Sequence, residues 1–186
     1  GMLVPLQAYI DSHSTGDIFI VLHQMGNHGP AYYKRYPAAF EHYTPACRNN
    51  DLSQCSRDEI VNAYDNALRY TDYFLDRTIE LLQRNSGRFE TAMFYVSDHG
   101  ESLGEGGTYL HGLPKAIAPK AQLHVPAIFW VGARYHEVDL PALRRKSSQA
   151  FTHDHLFHTL LGFMEVQTTI YRPEMDILTG VRKGDW

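Results

Sequence analysis

Residues 91 to 102 read Thr-Ala-Met-Phe-Tyr-Val-Ser-Asp-His-Gly-Glu-Ser, and they carry the clearest signal of fold class in the chain. A short apolar run bounded by polar residues is typical of a strand buried on both faces of a parallel sheet. Residues 18–22 and 125–131 form two further runs of the same kind. Because amphipathic helices are predicted between and after these strands, we expect an α/β protein, an α/β/α sandwich with a mostly parallel sheet.

The helical segments have recognisable boundaries. A stripe of apolar residues at i, i+3 and i+4 predicts a helix that ends near Arg84. Ser56 and Glu59 have the spacing of a capping box, so this helix should begin there. Shorter helices are expected at residues 140–148 and from about 152 to 164. Glycine- and proline-rich loops fill residues 23–58 and 98–124, and loops of this length are usually functional.

The composition of the 186-residue chain is that of an ordinary globular protein, with 44 % hydrophobic and 20 % charged residues. A formal net charge of -4 argues against nucleic acid as a partner. No apolar run approaches the roughly 18 residues that cross a bilayer. Residues 1–16 have no clear period and are expected to be a linker or leader before a domain of residues 17–186. Gly1 ahead of Met2 indicates a piece of a longer protein.

Two acidic residues and a histidine follow the central strand. Asp98 and His99 are both suitable zinc ligands, and Gly100 would permit the turn that lets both reach one ion. Glu101 could orient a ligand or touch a substrate. The structural alternative is a strand end capped by Asp98, with His99 packed against a helix.

Other histidines lie on the loops that leave the predicted strands. His28 precedes Gly-Pro in the first loop, and His111 lies in the second loop, 12 positions after His99. Ligands bind beyond the carboxyl ends of strands in open α/β sheets, so these loops should converge there. The cluster of residues 153–158 also contains three histidines, but its leucines favour a packing helix over a metal site.

Tyr32, Tyr33, Tyr36 and Tyr43 could line a substrate cleft or pack the first loop onto the body of the protein. Cys47 and Cys55 are eight positions apart in a polar loop. Their spacing fits two free thiols and a disulfide equally well.

Together these features resemble the alkaline phosphatase/sulfatase superfamily, and more closely the bacterial phosphoethanolamine transferases that modify lipid A. The resemblance covers nearly the whole chain from Asp17 onward. It is carried by residues 21–30, 33–37, 64–72, 97–105, 109–114 and 153–162.

The resemblance implies a zinc enzyme at the periplasmic face of the bacterial inner membrane, associated with polymyxin resistance. Such an enzyme moves phosphoethanolamine from phosphatidylethanolamine to lipid A or lipopolysaccharide phosphates through a covalent threonine intermediate. Asp98 and His99 match ligands of the catalytic zinc, and Glu101 matches a carboxylate near the substrate. His28 and His111 match histidines that contact the transferred phosphate or a second metal. Cys47 and Cys55 match a disulfide pair.

The chain departs from this family pattern in two respects. Residues 1–16 supply neither the family's threonine nucleophile nor its further zinc-binding carboxylate, and the membrane helices are absent. We therefore expect the C-terminal portion of a catalytic domain, inactive as an isolated chain, with membrane attachment through missing N-terminal helices. An unpaired sheet edge predicts self-association. The alternatives are a sulfatase or phosphoglycerol-transferase-like hydrolase of the same superfamily, or a non-catalytic remnant.

Overall fold

A computed structural model describes residues 1–183 of the chain. Its helices and strands follow one another in the order α1 Leu6–Asp11, α2 Arg57–Asn85, β1 Ala92–Val96, β2 Ser102–Leu103, β3 Tyr109–Leu110, α3 Lys120–Leu123, β4 Ala127–Val131, α4 Leu140–Lys146 and α5 Asp154–Phe163. Short 3-10 turns at Tyr32–Lys34, Ala38–Phe40, Leu52–Gln54, Glu105–Gly107 and Pro173–Met175 interrupt the loops.

The long helix α2 confirms the helix expected from the capping box and the apolar stripe. The backbone N–H of Ser56 donates to Glu59 Oε2 over 2.7 Å, and the N–H of Glu59 donates to Ser56 Oγ over 3.3 Å. These reciprocal bonds satisfy N–H groups that a helix start leaves without intrahelical partners. The buried side of α2 includes Ile60, Ala63 and Ala67. α2 therefore forms one wall of the core.

The predicted strands at 91–97 and 125–131 are present as β1 and β4, which pair with each other. The N–H of Ser97 donates to Pro126 O, and the N–H of Gly132 donates to Thr91 O. Partners that advance along one strand and retreat along the other are the pattern of antiparallel strands. β2 and β3 are also antiparallel, so the expected mostly parallel sheet is not seen within residues 1–183.

The strand expected at residues 18–22 is wrong: within the described chain this segment has no strand pairing. Phe19 is 53 % exposed and Val21 is 74 % exposed. An apolar run becomes a strand only where a neighbouring strand supplies hydrogen-bond partners, and within residues 1–183 this run pairs with none. The self-association expected from an unpaired sheet edge finds no support in the described chain.

Residues 1–16, expected to be a linker, contain the helix α1. Ile10 on this helix is buried. The side-chain amides of Gln7 and Asn85, the last residue of α2, exchange two hydrogen bonds of 3.0 and 2.9 Å. The entry to the chain therefore contacts the end of α2. No helix among residues 1–183 is both long enough and apolar enough to cross a bilayer.

Contacts between residues separate the chain into two compact units. The first unit contains residues 1–85 and 93–130, and its core is built around Tyr32, Cys47, Ile60 and Ala63. A disulfide joins Cys47 to Cys55 with Cα atoms 5.7 Å apart, which confirms the pairing implied by the family resemblance.

The second unit combines residues 86–92 with the chain from Val131 onward. Its centre is the buried carboxylate of Asp176, which accepts hydrogen bonds of 2.7 Å from Tyr171 and Arg182. Leu178 beside it is fully buried. The three loop histidines predicted to take part in chemistry, His28, His99 and His111, lie in the first unit.

Candidate functional site

Three histidines from distant parts of the chain meet in the first unit. The ligand atoms offered by His28, His99 and His111 all lie within 4.8 Å of one another. The ring centroids of His99 and His111 are 3.9 Å apart, and that of His28 is 4.9 Å from His111 and 5.8 Å from His99. His28 is exposed and the other two are half-buried, so the cluster is open to a ligand from solvent.

The hydrogen bonds of these rings determine which nitrogen is available. Nδ1 of His28 lies 2.6 Å from Gly29 O, and Nδ1 of His99 lies 3.1 Å from Gly100 O. Nδ1 of His111 lies 3.0 Å from Glu101 Oε1. A carbonyl or carboxylate oxygen only accepts, so each neutral ring carries its proton on Nδ1. The three Nε2 atoms are left with lone pairs, which is the state that binds a metal ion.

Asp98 is exposed, with 78 % of its side chain accessible. Its Oδ1 accepts the N–H of His99 over 3.0 Å, and its Oδ2 lies 3.8 Å from His99 Nε2. A carboxylate oxygen and an imidazole nitrogen at this separation can approach one ion with little movement. The turn expected after the strand therefore brings the two predicted zinc ligands to the same side.

Glu101 is buried and links two of the segments that carry the clustered histidines. Its Oε1 accepts the N–H of Gly29 and the Nδ1–H of His111, both over 3.0 Å. Its Oε2 accepts the hydroxyl of Tyr32 over 3.3 Å. The carboxylate therefore links the segment that carries His28 to the segment that carries His111. All of these partners are donors, so three of the roughly four acceptor positions of the carboxylate are used.

The segment between β1 and β2 is fixed by close contact with the chain before β4. The N–H of Gly100 donates to Gln122 O, and the Gln122 side chain donates to Ser102 Oγ, each over 3.0 Å. A Cβ atom at position 100 would overlap the carbonyl oxygen of Ala121. Glycine is needed here for close approach, because its φ angle is not among the positive ones. The expected turn is present, but its glycine is required for close packing rather than for backbone freedom.

The loop that carries His28 is anchored to α2 and to its own next turn. Asn27 donates to Tyr64 O over 3.1 Å and accepts from the Thr71 hydroxyl over 2.9 Å. Arg35 Nε donates to His28 O over 2.8 Å. These bonds place His28 at the cluster although no strand precedes it.

Burial and nearby charge keep the phenols around the site protonated. Burial, with the carboxylate of Glu101 adding to it, raises the pKa of Tyr32 well above its ordinary range. The same two causes raise the pKa of Tyr64, whose ring lies edge-on to that of Tyr32. Burial, followed by the charge of Asp98, raises the pKa of Tyr95. Tyr32 therefore acts only as a donor toward Glu101.

The sequence identified the three clustered histidines, Asp98 and Glu101, but it missed the partners that hold them. Tyr32 was assigned to a cleft or to packing, and the structure buries it against Glu101. Nothing in the sequence marked Arg35 or Gln122 as a residue that supports the site.

The histidines of residues 153–158 lie elsewhere, in the second unit. The rings of His155 and His158 accept backbone N–H groups of Thr152 and Arg172 over 3.1 and 3.2 Å. His155 thus binds the backbone just before α5, and His158 binds the backbone that follows α5.

Comparisons with known proteins place this geometry in context. A family model described as Sulfatase matches residues 2–166. Phosphoethanolamine transferase EptA of Salmonella typhimurium is 47 % identical over 96 % of this chain, which covers 33 % of that protein. Phosphatidylethanolamine transferase Mcr-1 of Escherichia coli is 46 % identical over 89 % of this chain and 30 % of its own length. The chain thus spans about a third of these relatives.

Solved structures give the same result at the level of the fold. The soluble domain of lipooligosaccharide phosphoethanolamine transferase A from Neisseria meningitidis matches with a TM-score of 0.92 and 40 % identity, covering 98 % of this chain and 56 % of that one. The C-terminal periplasmic domain of phosphoethanolamine transferase EptC from Campylobacter jejuni matches with a TM-score of 0.83 and 46 % identity, covering 96 % and 57 %. Both confirm the expected alkaline-phosphatase-like α/β fold class. The chain belongs to the sulfatase family.

Proposed function

We propose that this chain supplies the histidine-bearing part of a zinc-dependent phosphoethanolamine transferase active centre. The observation that carries the proposal is the cluster of His28, His99 and His111, whose ligand atoms lie within 4.8 Å of one another. Relatives named as phosphoethanolamine transferases are 46–47 % identical to the chain and support the same reaction class.

The donor set suits zinc. Imidazole nitrogens and carboxylate oxygens are ordinary zinc ligands, and a catalytic zinc site keeps a position open. We assign Asp98 and His99 as ligands of the catalytic ion. We assign His28 and His111 to the transferred phosphate or to a second ion, beside the ligands of the catalytic ion. Bound zinc would lower the pKa of a coordinated hydroxyl group and offset charge on the phosphoryl group.

The proposed transfer has two displacements at phosphorus. A threonine oxygen first bonds to the phosphorus of phosphatidylethanolamine, while the bond to the diacylglycerol oxygen breaks and that oxygen takes up a proton. A phosphate oxygen of lipid A then bonds to phosphorus and releases the threonine oxygen. His28 and His111 are suited to hold the proton that these oxygens exchange, because an imidazole nitrogen can both accept and donate a proton. The threonine is not assigned to any residue of this chain.

The setting of the reaction follows from the same relatives. We propose a periplasmic location at the inner membrane, consistent with the C. jejuni domain described as periplasmic. Lipid A would be the acceptor and phosphatidylethanolamine the donor, and the modified lipid would bind polymyxin less well. The name of Mcr-1 as a phosphatidylethanolamine transferase supports this donor.

Zinc binding to the purified chain tests the first half of the proposal. We expect calorimetric titration to show zinc binding that is weakened by Asp98→Ala, by His99→Ala and by His111→Ala. Each loss should exceed the roughly 10- to 100-fold effect of an outer partner of a metal site. His23→Ala is the matched control, because His23 is an exposed histidine on the same loop as His28. Equal zinc binding by all variants would refute the site.

Lipid A analysis tests the second half. The longest gene product that contains this chain is expressed in a bacterium whose lipid A lacks phosphoethanolamine. We expect lipid A to gain one phosphoethanolamine group by mass spectrometry, and Asp98→Ala to abolish the gain. Hydrolysis of an aryl sulfate without lipid A modification would support the sulfatase alternative, and no activity in either assay would support the non-catalytic remnant.

A further inference from the structure

We propose that Tyr32 is a positioning residue of the histidine cluster, which acts through Glu101 to fix the ring of His111. The inference rests on the proposed function, because it takes the cluster as the working centre. It concerns a residue that reaches the histidine-bearing segments through the carboxylate of Glu101 and through contact with Gly29.

The first step is the environment of the Tyr32 hydroxyl. Tyr32 is 1 % exposed and lies in the 3-10 turn four positions after His28. Its ring packs edge-on against Tyr64, with centroids 5.5 Å apart. A buried hydroxyl is costly without a partner, and this one donates to Glu101 Oε2 over 3.3 Å. Packing accounts for the position of the ring, and the hydroxyl group donates a hydrogen bond to the carboxylate.

The second step concerns the two carboxylate oxygens of Glu101, which have different hydrogen-bond partners. Oε1 accepts from His111 Nδ1 and from Gly29 N, and Oε2 accepts from Tyr32. A carboxylate turns easily about its terminal bond unless both oxygens are held. With Oε2 held by Tyr32, Oε1 stays directed at His111. The Nδ1–H tautomer of His111 is then the stable one, and its Nε2 keeps a free lone pair.

The third step is the contact of the phenol with the other histidine segment. A Cβ atom at Gly29 would lie 2.7 Å from the Tyr32 hydroxyl oxygen and 2.6 Å from Leu110 Cδ2. The phenol therefore presses against the residue after His28, and Leu110 beside it precedes His111. Tyr32 thus contacts the segment that carries His28 and holds the carboxylate that accepts from His111.

Tyr32→Phe separates this role from packing, because it keeps the ring and removes only the hydroxyl. We expect zinc to bind about 10-fold more weakly, the lower end of the range for outer partners of a metal site. Tyr33→Phe is the matched control: its hydroxyl donates to Asn50 over 3.3 Å in an exposed position. The control should bind zinc as the wild type does. Zinc affinity unchanged in Tyr32→Phe would overturn the inference.

A second readout does not depend on metal. Nitrogen-15 NMR of the metal-free chain distinguishes the two tautomers of a neutral histidine ring. We expect His111 to be Nδ1-protonated in the wild type and in Tyr33→Phe, and a mixture in Tyr32→Phe. A wild-type His111 protonated on Nε2 would overturn the inference even if the variant failed to fold. Absence of zinc binding by the wild type with the expected tautomers would count against the proposed function alone.

Discussion

Glu101 offers the sharpest test of how the site is held, because one side chain accepts three hydrogen bonds. Glu101→Ala leaves the buried Gly29 N–H and the buried Tyr32 hydroxyl without their acceptor, whereas half-buried His111 can turn to water. Each buried donor without an acceptor costs about 1–3 kcal/mol. Removing a buried carboxylate returns part of that as recovered desolvation. We expect the free energy of unfolding to fall by about 2–4 kcal/mol.

Glu101→Gln should cost much less. The amide oxygen can take the place of Oε1 toward Gly29 and His111, and the amide NH₂ can donate to the Tyr32 hydroxyl, which then accepts. What remains is the loss of charge-assisted hydrogen bonding, about 1 kcal/mol.

Urea unfolding followed by circular dichroism measures both variants of Glu101. Glu105→Ala is the control, because this exposed carboxylate accepts a single hydrogen bond of 2.7 Å, from the N–H of Leu103. It should lose less than about 1 kcal/mol. If Glu101→Ala were no less stable than Glu105→Ala, or if Glu101→Gln were as unstable as Glu101→Ala, the described hydrogen bonds would not be what holds the site.

Three further outcomes can be checked on the same chain by unfolding measurements. Gly100→Ala should lower the free energy of unfolding by about 1–3 kcal/mol, because its Cβ would meet a backbone carbonyl oxygen. Gly87→Ala is the control, since open space surrounds that position, and it should change stability by less than about 1 kcal/mol. Equal effects of the two substitutions would exclude the close approach at Gly100. Replacing Cys47 and Cys55 together by serine should cost roughly 2–3 kcal/mol through loss of the short disulfide loop, and an unchanged urea midpoint would contradict this. Burial, with a smaller effect of a nearby glutamate, raises the pKa of Tyr135 to about 12 from 10.0. The unfolded chain therefore loses this proton first, so stability should be constant below pH 10 and fall between pH 10 and about 12. Tyr135→Phe should flatten that fall, and a slope identical to that of the wild type would show that the group titrates normally.

The local elements of the fold were predictable because their causes are local. The capping box and apolar stripe of α2 lie within its own sequence, and so do the apolar runs of β1 and β4. Residues 18–22 show the limit of this reasoning. Their composition favours a strand, but a strand also needs partners, which the sequence of the segment does not contain. The antiparallel pairing of β1 with β4 likewise depends on how the intervening chain returns, which the two apolar runs do not encode.

The convergence of His28, His99 and His111 was expected from loops that leave the same edge of a sheet. The structure brings them together, although His28 arrives there without a preceding strand. Its place is set by Asn27, which is held by Tyr64 and Thr71 of α2. The location was therefore predictable, whereas the way in which it is reached was not.

The sequence by itself determined which chemistry the site can offer, because histidine and aspartate donors are a property of residue type. It also determined α2 and the central strand, whose signals are short-range. Only the tertiary structure decided which histidine nitrogens are free, that Glu101 is occupied by Tyr32, Gly29 and His111, and that Gly100 must lack a side chain. These depend on contacts between residues up to 72 positions apart, and such contacts form only when the whole chain has folded.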